Sequence, residues 1–473
     1  MMKKKIFIFL NKTSLAHTQT LNYKFLKLLT KNNHVTIISS YNLNKSQLLK
    51  QLDLKIIKIK DCKPKNFIKR SIYSFLKSVK LHTTINFNKN ITLKDFKLIL
   101  LKLQWKRNKL KSIVYIPLWL LVHNLLKISI FAKIYRKFEI IYFSNKDLEI
   151  LLLKNKPDLV VTTSPGWWED DNFFLYSSNK LKIKSVCIVL SWDQPTGMGF
   201  MPALCSKYLV WSKKVKEDLI KFHGILKKNI HVVGALHWDH YFFKQRIKRK
   251  KHKQVLICLK SPTRTRHLKI LDMLKQIINQ NYHFKIHFLV RPHPIYFSKR
   301  YYSLLEDFKK MSSEENNIIS VQNLWGRYNF KTKDFIEKSV NLNFLIDREI
   351  TFRNISKKNI LSSNLIINFF STYSVEASIL KVPIINYIHD EKMKSLSDLN
   401  DKKNLYMDYR QNHVQRIIQN IETAKSLNQL VKMINIYLLN SKRNNIKMQK
   451  FFKNETNLKG ESIKNIYKYL TNF

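Results

Sequence analysis

The sequence contains few acidic residues, few glycines and few cysteines. Its 473 residues include 86 Lys and Arg, 32 Asp and Glu, 7 Gly and 4 Cys, which gives a net charge of +54 at neutral pH. The cysteines are scattered and form no CxxC pair, so we expect neither a disulfide framework nor a zinc site, and a reduced, cytoplasmic chain is the simplest interpretation. Residues 11–18, after the first predicted strand, hold no glycine, which argues against a glycine-rich phosphate loop there.

Long hydrophobic runs are also absent. A basic amino-terminal segment is followed by only five apolar residues, Ile6–Leu10, and by no small-residue cleavage site, so this run predicts a first strand rather than a signal peptide. The segment 112–132 is a membrane candidate, but its uninterrupted apolar core, Ile113–Val122, has about half the length that a span requires. Basic residues flank it on both sides, as in helices that lie in the membrane interface. A core helix, an interfacial helix and a true span are the three alternatives.

The excess of positive charge favours an anionic partner. Nucleic acid, phosphorylated substrates and an anionic membrane surface are the three classes that such a charge attracts. The basic residues spread through every predicted element rather than forming one arm or stripe, and no nucleic-acid-binding module is recognisable. We therefore expect nucleic acid not to be the main partner.

Short apolar runs alternate with helical patterns along both halves of the chain. This alternation predicts an α/β fold with two doubly wound, Rossmann-like domains and mostly parallel sheets. We expect a first domain at 1–243 with a basic helical insert at 65–150, a basic linker at 244–253 and a second domain at 254–440. Helices at 441–473 are expected to pack back on the first domain. Ligands of such sheets bind outside the carboxyl ends of the strands, so the site is expected in a cleft between the two sheet edges.

The clearest local pattern lies at Asn364–Ile385. A buried strand is followed by a hydroxyl-rich turn, a short helix that carries Glu376, and a second buried strand. Hydroxyls at such a position can cap the helix, whose free N–H groups favour an anion. The pattern predicts a phosphate-and-sugar site with Ser371, Thr372, Ser374 and Glu376.

Cationic side chains lie in two other predicted loops of the second half. One loop follows a strand at 260–266, and another, Arg-Pro-His-Pro, follows a strand at 291–294. Cations and hydroxyls at strand ends are suited to stabilising the negative charge of a phosphate in a protein without a metal site. His293 lies between two prolines, where its imidazole can be held to donate to a phosphate oxygen. The further donor-binding candidates are Lys260, Ser261, Arg264, Arg266 and Arg291.

If the phosphate site of the second half serves a group transfer, the acceptor loses a proton and a base is expected on the first domain. The sequence leaves several candidates open. The acidic triplet at 169–171 has a second interpretation as a helix start whose acids complement the dipole. Tryptophans beside these acids are suited to stacking on a sugar ring. The catalytic candidates are His17, Glu169, Asp170, Asp171, Asp193 and His293, and the acceptor-binding candidates are Trp167, Trp168, Trp192 and Thr196.

Together these motifs resemble those of two-domain glycosyltransferases of the GT-B fold, which share their architecture with UDP-sugar 2-epimerases. The resemblance rests on the strand–loop–helix at Val255–Leu274, on Arg-Pro-His-Pro at 291–294, on Ser-Thr-x-Ser at 371–374 with Glu376, and on the loop at 191–197. The Arg-Pro-His-Pro and Ser-Thr-x-Ser motifs look like those of bacterial capsule and other surface-polysaccharide transferases. The glycine that many relatives carry after the glutamate helix is absent, so donor contacts are expected from side chains.

The resemblance implies a metal-independent glycosyltransferase of polysaccharide biosynthesis. It would move a sugar from a nucleotide-activated donor to a lipid-linked or surface glycan, without a cofactor, in the cytoplasm and peripherally on the inner face of the cell membrane. A glycerol-phosphate-type transferase or a UDP-sugar 2-epimerase of the same fold is one alternative. The epimerase needs acids for two-base exchange at C2, and carboxylates are scarce here. A non-catalytic binder of nucleic acid or glycan is the other alternative.

Overall fold

The computed structural model describes residues 3–11, 20–60, 62–90, 93, 97, 101, 104–105, 109–164, 169–243, 252–259, 267–293, 302–314, 318–321, 342–387, 416–417, 419–440, 445–456 and 460–473. The chain divides into two compact units. Unit 1 comprises Met1–Asp239 and Asn457–Phe473, and unit 2 comprises His240–Thr456. The predicted linker at 244–253 lies almost entirely outside the described residues.

Unit 1 contains a seven-stranded parallel sheet in the order β3-β2-β1-β4-β5-β6-β7. The order reverses between β1 and β4, so the topological switch point lies between these two strands. Ligands of doubly wound sheets bind at the carboxyl edge of that point. The strands are β1 Lys4–Leu10, β2 Asn33–Ser39, β3 Lys55–Lys58, β4 Leu159–Thr162, β5 Ser185–Ile188, β6 Lys207–Val210 and β7 Ile230–Val232.

Helices surround this sheet, and many begin at a side-chain cap. Asn22 accepts from the N–H of Phe25 at 3.2 Å and so starts the first helix. The helices of unit 1 are α1 Tyr23–Asn32, α2 Gln47–Gln51, α3 Phe67–Lys80, α4 Lys109–Leu126, α5 Ser129–Phe143, α6 Lys146–Asn155, α7 Glu169–Lys180, α8 Gln194–Gly197 and α9 Lys213–His223; α10 Asp239–Phe242 runs across the unit boundary.

The membrane candidate at 112–132 is two helices rather than one. Ile128 has an extended backbone between α4 and α5, and the axes of the two helices differ by 108°. The helices break there because the N–H groups of Lys127 and Ile128 turn to carbonyls only three residues back. Among the described helices, none is by itself long and apolar enough to cross a membrane, whereas α4 and α5 together reach that length and composition.

A buried charged cluster joins three helices of unit 1. Glu139 on α5 is fully buried and accepts from the ammonium of Lys80 on α3 at 2.7 and 2.9 Å. It also accepts from the hydroxyls of Tyr135 and of Tyr176, which lies on α7. Burial lowers the pKa of Lys80 and Glu139 opposes this effect. The basic insert is thus anchored through one paired carboxylate.

Unit 2 contains a six-stranded parallel sheet in the order β10-β9-β8-β11-β12-β13. Its switch point lies between β8 and β11, and Cys258 at the end of β8 pairs in register with both Arg291 and Asn368. The carboxyl ends of β8, β9 and β11 therefore form one edge. The strands are β8 Lys253–Cys258, β9 Ile286–Arg291, β10 Ile319–Val321, β11 Leu365–Asn368, β12 Ile384–Tyr387 and β13 Thr423–Ala424.

The core of unit 2 forms on the apolar strands, as the sequence pattern predicts. Val255, Phe288 and Ile367 lie in one buried cluster with residues of the covering helices. The helices are α11 His267–Ile278, α12 Tyr302–Glu314, α13 Leu342–Asp347, α14 Glu349–Ser362, α15 Tyr373–Ile379, α16 Leu427–Leu439 and α17 Asn445–Glu455.

The carboxyl-terminal helices divide between the two units. Helix α17 packs on α15 in unit 2, whereas α18, Ser462–Asn472, packs on α1 in unit 1. Asp239 caps α18 from more than two hundred residues away, since its carboxylate accepts from the N–H groups of Ser462 at 2.9 Å and Ile463 at 2.8 Å. Lys4 donates to the carbonyl of Thr471 at 2.7 Å.

Candidate functional site

The switch point of unit 1 carries a buried carboxylate. Asn11 follows β1, Ser164 follows β4, and Asp171 lies in the first turn of α7. The Oδ2 atom of Asp171 accepts from Nδ2 of Asn11 at 2.7 Å and from the hydroxyl of Ser164. A single side chain thus joins the ends of the two central strands at the edge where doubly wound sheets bind ligands.

The environment of Asp171 favours its protonated form. Burial raises its pKa to about 7 and the negative charge of Asp170 adds to the increase, although the hydrogen bonds from Ser164 and Asn11 oppose it. Its second oxygen, Oδ1, is buried and has no hydrogen-bond partner among the described residues. A carboxyl group that titrates near neutral pH and keeps one oxygen unengaged has the properties of a general base.

The other two acids of the triplet have different surroundings. Glu169 pairs with Lys63 at 3.1 Å and with Lys77. Burial tends to raise the pKa of Glu169, but the two lysines bring it below its usual value. Asp170 is buried in the same first turn, where acids complement the helix dipole. Within 169–171 the structure therefore distinguishes Asp171, which the sequence could not.

The loop after β5 is held by hydrogen bonds within unit 1. Asp193 accepts from the hydroxyl of Ser191. The carbonyl of Thr196 accepts from Asn90 at 3.0 Å. Trp192, Thr196 and Asp171 are 2%, 1% and 0% exposed, so in this conformation none of the three offers its side chain to the surface.

Several predicted site residues lie outside the described residues. They are His17, Trp167 and Trp168 in unit 1 and Lys260, Ser261, Arg264 and Arg266 in unit 2. Their predicted roles stay predictions.

In unit 2, the edge formed by β8, β9 and β11 carries a cation. Arg291 ends β9, and its guanidinium lies 4.2 Å from the centre of the Tyr373 ring. Its Nε atom is buried and has no hydrogen-bond partner among the described residues. His293 follows two residues later and is half-buried. A guanidinium with an unengaged N–H at a strand end is suited to binding a phosphate.

Glu376 is a buried carboxylate on α15. It is 8% exposed, and its Oε2 accepts from the hydroxyl of Tyr241 at 3.1 Å. Burial raises the pKa of Glu376, and Arg291, Tyr241 and Arg353 oppose this rise. The predicted carboxylate is therefore held by one hydroxyl and by the field of two arginines.

The hydroxyl-rich turn is organised by Asn368 at the end of β11. Its Nδ2 donates to Ser374 Oγ at 2.8 Å and to the carbonyl of Ser371 at 3.2 Å. Ser371 donates to Asn368 Oδ1 at 2.6 Å and accepts from the N–H of Tyr373 at 3.3 Å, so Ser371 supplies the helix-start contact and Thr372 makes none. Ser374 is fully buried. Because α15 has only seven residues, we assign the positive charge of this edge to the arginines rather than to the helix dipole.

Some of these residues were missed in the sequence. Asn11 and Asn368 each come directly at the carboxyl end of a central strand, which is a signal that a sequence search can use. Tyr241 is separated from Glu376 by 135 residues. No local pattern indicates such a contact.

Within the part of the chain that the structure describes, no group of three or more His, Cys, Asp or Glu side chains is arranged to hold a metal ion. The polar groups at both sheet edges are carboxylates, amides, hydroxyls and guanidinium groups.

No protein-family model matches the sequence, and no curated protein matches it significantly. Solved structures resemble it in fold. A protein from Listeria monocytogenes assigned as a UDP-N-acetylglucosamine 2-epimerase has a TM-score of 0.51 at 10% identity, over 99% of this chain and 96% of that one. A glycosyltransferase from Rickettsia africae has a TM-score of 0.47 at 13% identity, over 99% of each chain. The UDP-GlcNAc 2-epimerase from Methanocaldococcus jannaschii has a TM-score of 0.49 at 14% identity, over 99% of this chain and 100% of that one.

These identities are low, so the similarity concerns the fold. Two parallel sheets of seven and six strands with surrounding helices form the two-domain, Rossmann-like GT-B architecture that the sequence predicts. An architecture of this kind hosts more than one reaction, and the reaction has to be argued from the residues of the site.

Proposed function

We propose that the protein is a glycosyltransferase that moves a sugar from a nucleotide-activated donor to a glycan acceptor. The observation that carries this proposal is Asp171, a buried carboxyl at the switch point of unit 1 with a pKa of about 7 and one oxygen that has no hydrogen-bond partner among the described residues. In this proposal unit 2 binds the donor through Arg291 and Glu376. Unit 1 supplies the base.

The proposed chemistry follows from these groups. An acceptor hydroxyl oxygen forms a bond to the anomeric carbon, and the bond from that carbon to the donor phosphate breaks. The carboxylate of Asp171 takes the hydroxyl proton. The leaving nucleotide carries away the electron pair, and the guanidinium of Arg291 stabilises its negative charge. Glu376 accepts from hydroxyls of the donor ribose, a role that the resemblance to GT-B glycosyltransferases implies.

The acceptor is proposed to be a lipid-linked or surface glycan, made in the cytoplasm at the inner face of the cell membrane. The net charge of +54 supports this, because anionic lipid attracts a protein of such charge. A cofactor is not part of the proposal.

The proposal is tested with a panel of UDP-, GDP-, CMP- and CDP-linked sugars. At least one donor at a hundred times its dissociation constant is expected to stabilise the protein by about 2.7 kcal/mol, which raises the melting temperature by several degrees. The same donor is expected to lose its sugar to a glycan acceptor. If no nucleotide sugar stabilises the protein, the proposal is wrong. Conversion of the donor into its C2 epimer, with the nucleotide still attached, would indicate the epimerase instead.

The donor that stabilises the protein also tests Arg291. Arg291→Gln removes a half-buried cation at the strand end, so we expect the dissociation constant of the donor to rise at least tenfold in calorimetric titration. Lys358→Gln removes one positive charge from an exposed position on α14 of the same unit and serves as the control. An equal loss of donor affinity in the two variants would show that affinity depends only on the overall charge of the protein.

A further inference from the structure

Helix α4 presents an apolar stripe to solvent. Its residues recur at intervals of three and four positions, as one face of a helix requires. The opposite face is buried through Trp119, His123 and Leu126. The stripe, named here the α4 stripe, consists of Leu110 (82% exposed), Ile113 (59%), Val114 (71%), Leu118 (48%) and Leu121 (56%), with Pro117 also exposed between them.

Helix α5 repeats the arrangement. It buries Ala132, Arg136, Glu139 and Phe143 against unit 1. The other side is apolar and open. The exposed apolar residues there are Ile130, Phe131, Ile134, Phe138 and Ile141, which are between 41% and 74% exposed. Both helices already pack on the core through their buried faces. The two exposed apolar faces therefore add no packing contact to the folded unit, and exposed apolar patches of this kind mark interaction sites.

Helix α3 adds two exposed apolar side chains and a groove. Phe67 and Ile68 at its start are 81% and 65% exposed. A groove of about 570 Å³ lies beside them, lined by Phe67, Arg70, Ser71, Ser74, Phe75 and Tyr115. Arg70 and the hydroxyl of Ser71 among aromatic rings can receive a phosphate whose neighbours are apolar, whereas the hydroxyl of Ser74 already donates to the carbonyl of Arg70 at 2.8 Å.

The charge around these faces is of one sign. Helices α3, α4 and α5 contain a single acidic residue, Glu139, and it is buried. Exposed cations lie beside the apolar positions on all three helices: Lys69, Arg70, Lys109, Lys111, Lys133 and Lys137. A second copy of the chain would bring the same positive charges face to face, which disfavours self-association through this surface.

We propose that α3, α4 and α5 form a docking surface for a bilayer that contains anionic lipid. The α4 stripe lies in the interface with its apolar side chains among the acyl chains near the headgroups, and the surrounding lysines contact lipid phosphates. The groove beside Arg70 binds one lipid headgroup phosphate. The bend of 108° after α4 keeps the two helices from forming one straight span. This inference does not depend on the transferase activity, because it concerns binding to lipid in the absence of donor.

The test is flotation of the full-length protein with vesicles of phosphatidylcholine alone or with about one third phosphatidylglycerol. The wild-type protein is expected to float with the anionic vesicles and not with the neutral ones. Val114→Glu with Leu121→Glu places two acids on the α4 stripe and is expected to reduce the bound fraction at least tenfold. Ile150→Glu with Leu153→Glu adds the same two charges at exposed apolar positions of α6, and is expected to bind as the wild type does.

Four results would overturn the proposal. One is wild-type protein that stays unbound in the presence of anionic vesicles. Another is an equal loss of vesicle binding in the two double variants, each shown by circular dichroism to be folded. Equal losses would show that the net charge of the protein, rather than the α4 stripe, determines binding. The third is a wild-type dimer in sedimentation that only the α4-stripe variant converts to monomers, which would assign the surface to a second copy. Release of the bound protein by alkaline carbonate is expected for an interfacial helix, and retention would indicate a span and contradict the proposal.

Discussion

Asp171→Asn is expected to lower the rate of sugar transfer strongly and at the same time to make the protein more stable above pH 7. A general base contributes about 10²- to 10⁴-fold to a rate, so the transfer rate should fall by a factor in that range. The asparagine keeps the shape of the side chain and an oxygen that accepts from Asn11 and Ser164, so the fold should be preserved. A residue kept for structure alone would not show this combination of lost activity and gained stability.

The gain in stability has a defined dependence on pH. Burial raises the pKa of Asp171 in the folded protein to about 7, from 3.8 for an unperturbed carboxyl. Below pH 4 the carboxyl of residue 171 is protonated in both the folded and the unfolded state, so it has no effect on the free energy of unfolding. Between pH 4 and 7 the folded state becomes progressively less favourable, and above pH 7 the full cost is present. At about 1.4 kcal/mol per pKa unit this amounts to as much as about 4 kcal/mol, which the asparagine removes.

Urea unfolding of both proteins between pH 4 and pH 9 measures this difference, and turnover of the donor identified by thermal shift measures the rate. Asp147→Asn, an acid in the first turn of the exposed helix α6, is the control and should change neither quantity by much. An Asp171→Asn protein that keeps its transfer rate would leave Asp171 with a structural role only. A pH-independent difference in stability would contradict its raised pKa.

The second large effect is expected for Lys80→Met. This change leaves the fully buried Glu139 with two tyrosine hydroxyls and no cation. Breaking a buried ion pair from one side destabilises proteins by about 3–5 kcal/mol, because the remaining charge loses its compensation. We expect the free energy of unfolding of unit 1 to fall by an amount in that range, measured by urea titration.

Lys77→Met is a matched control one turn earlier on the same helix. Lys77 also pairs with a glutamate, Glu169, but its side chain is 41% exposed, and such pairs contribute about 0–1 kcal/mol. Changing Glu139 to Gln in the Lys80→Met protein should recover part of the lost stability, since the uncompensated charge is then removed. Similar losses for the two lysines, or no recovery in the double variant, would contradict the assigned role of the pair.

The sequence predicts the sheets well because their strands are buried on both faces. The run Leu365–Phe370, which is apolar except for Asn368, identifies β11, and the structure differs in that the strand ends at Asn368. Phe370 has a φ of +57°, which turns the chain out of the sheet before Ser371. Apolar composition alone cannot report that turn, because a phenylalanine contributes the same hydrophobicity in a strand or after it.

The site is less accessible from the sequence. Strand ends can be placed from apolar runs, and the motifs in this way place Arg291 and Glu376 beside one sheet edge, whereas the roles of the two residues stay predictions. The difference between Glu169, Asp170 and Asp171 depends on which of them meets Lys63 and Lys77 and which meets Asn11. Those contacts join segments that are far apart in the chain. The electrostatic environment of each acid therefore cannot be predicted from the residues next to it in the sequence.

The capping of α18 by Asp239 has a consequence for the order in which a ribosome completes the molecule. Residues 240–456, which form unit 2, are synthesised after the sheet of unit 1 and before α18. Until 460–473 leave the ribosome, α1 lacks the helix that covers it and the carboxylate of Asp239 lacks the N–H groups of Ser462 and Ile463. The unit whose synthesis starts first is therefore finished last, and the nascent chain carries an incomplete first domain throughout the translation of the second.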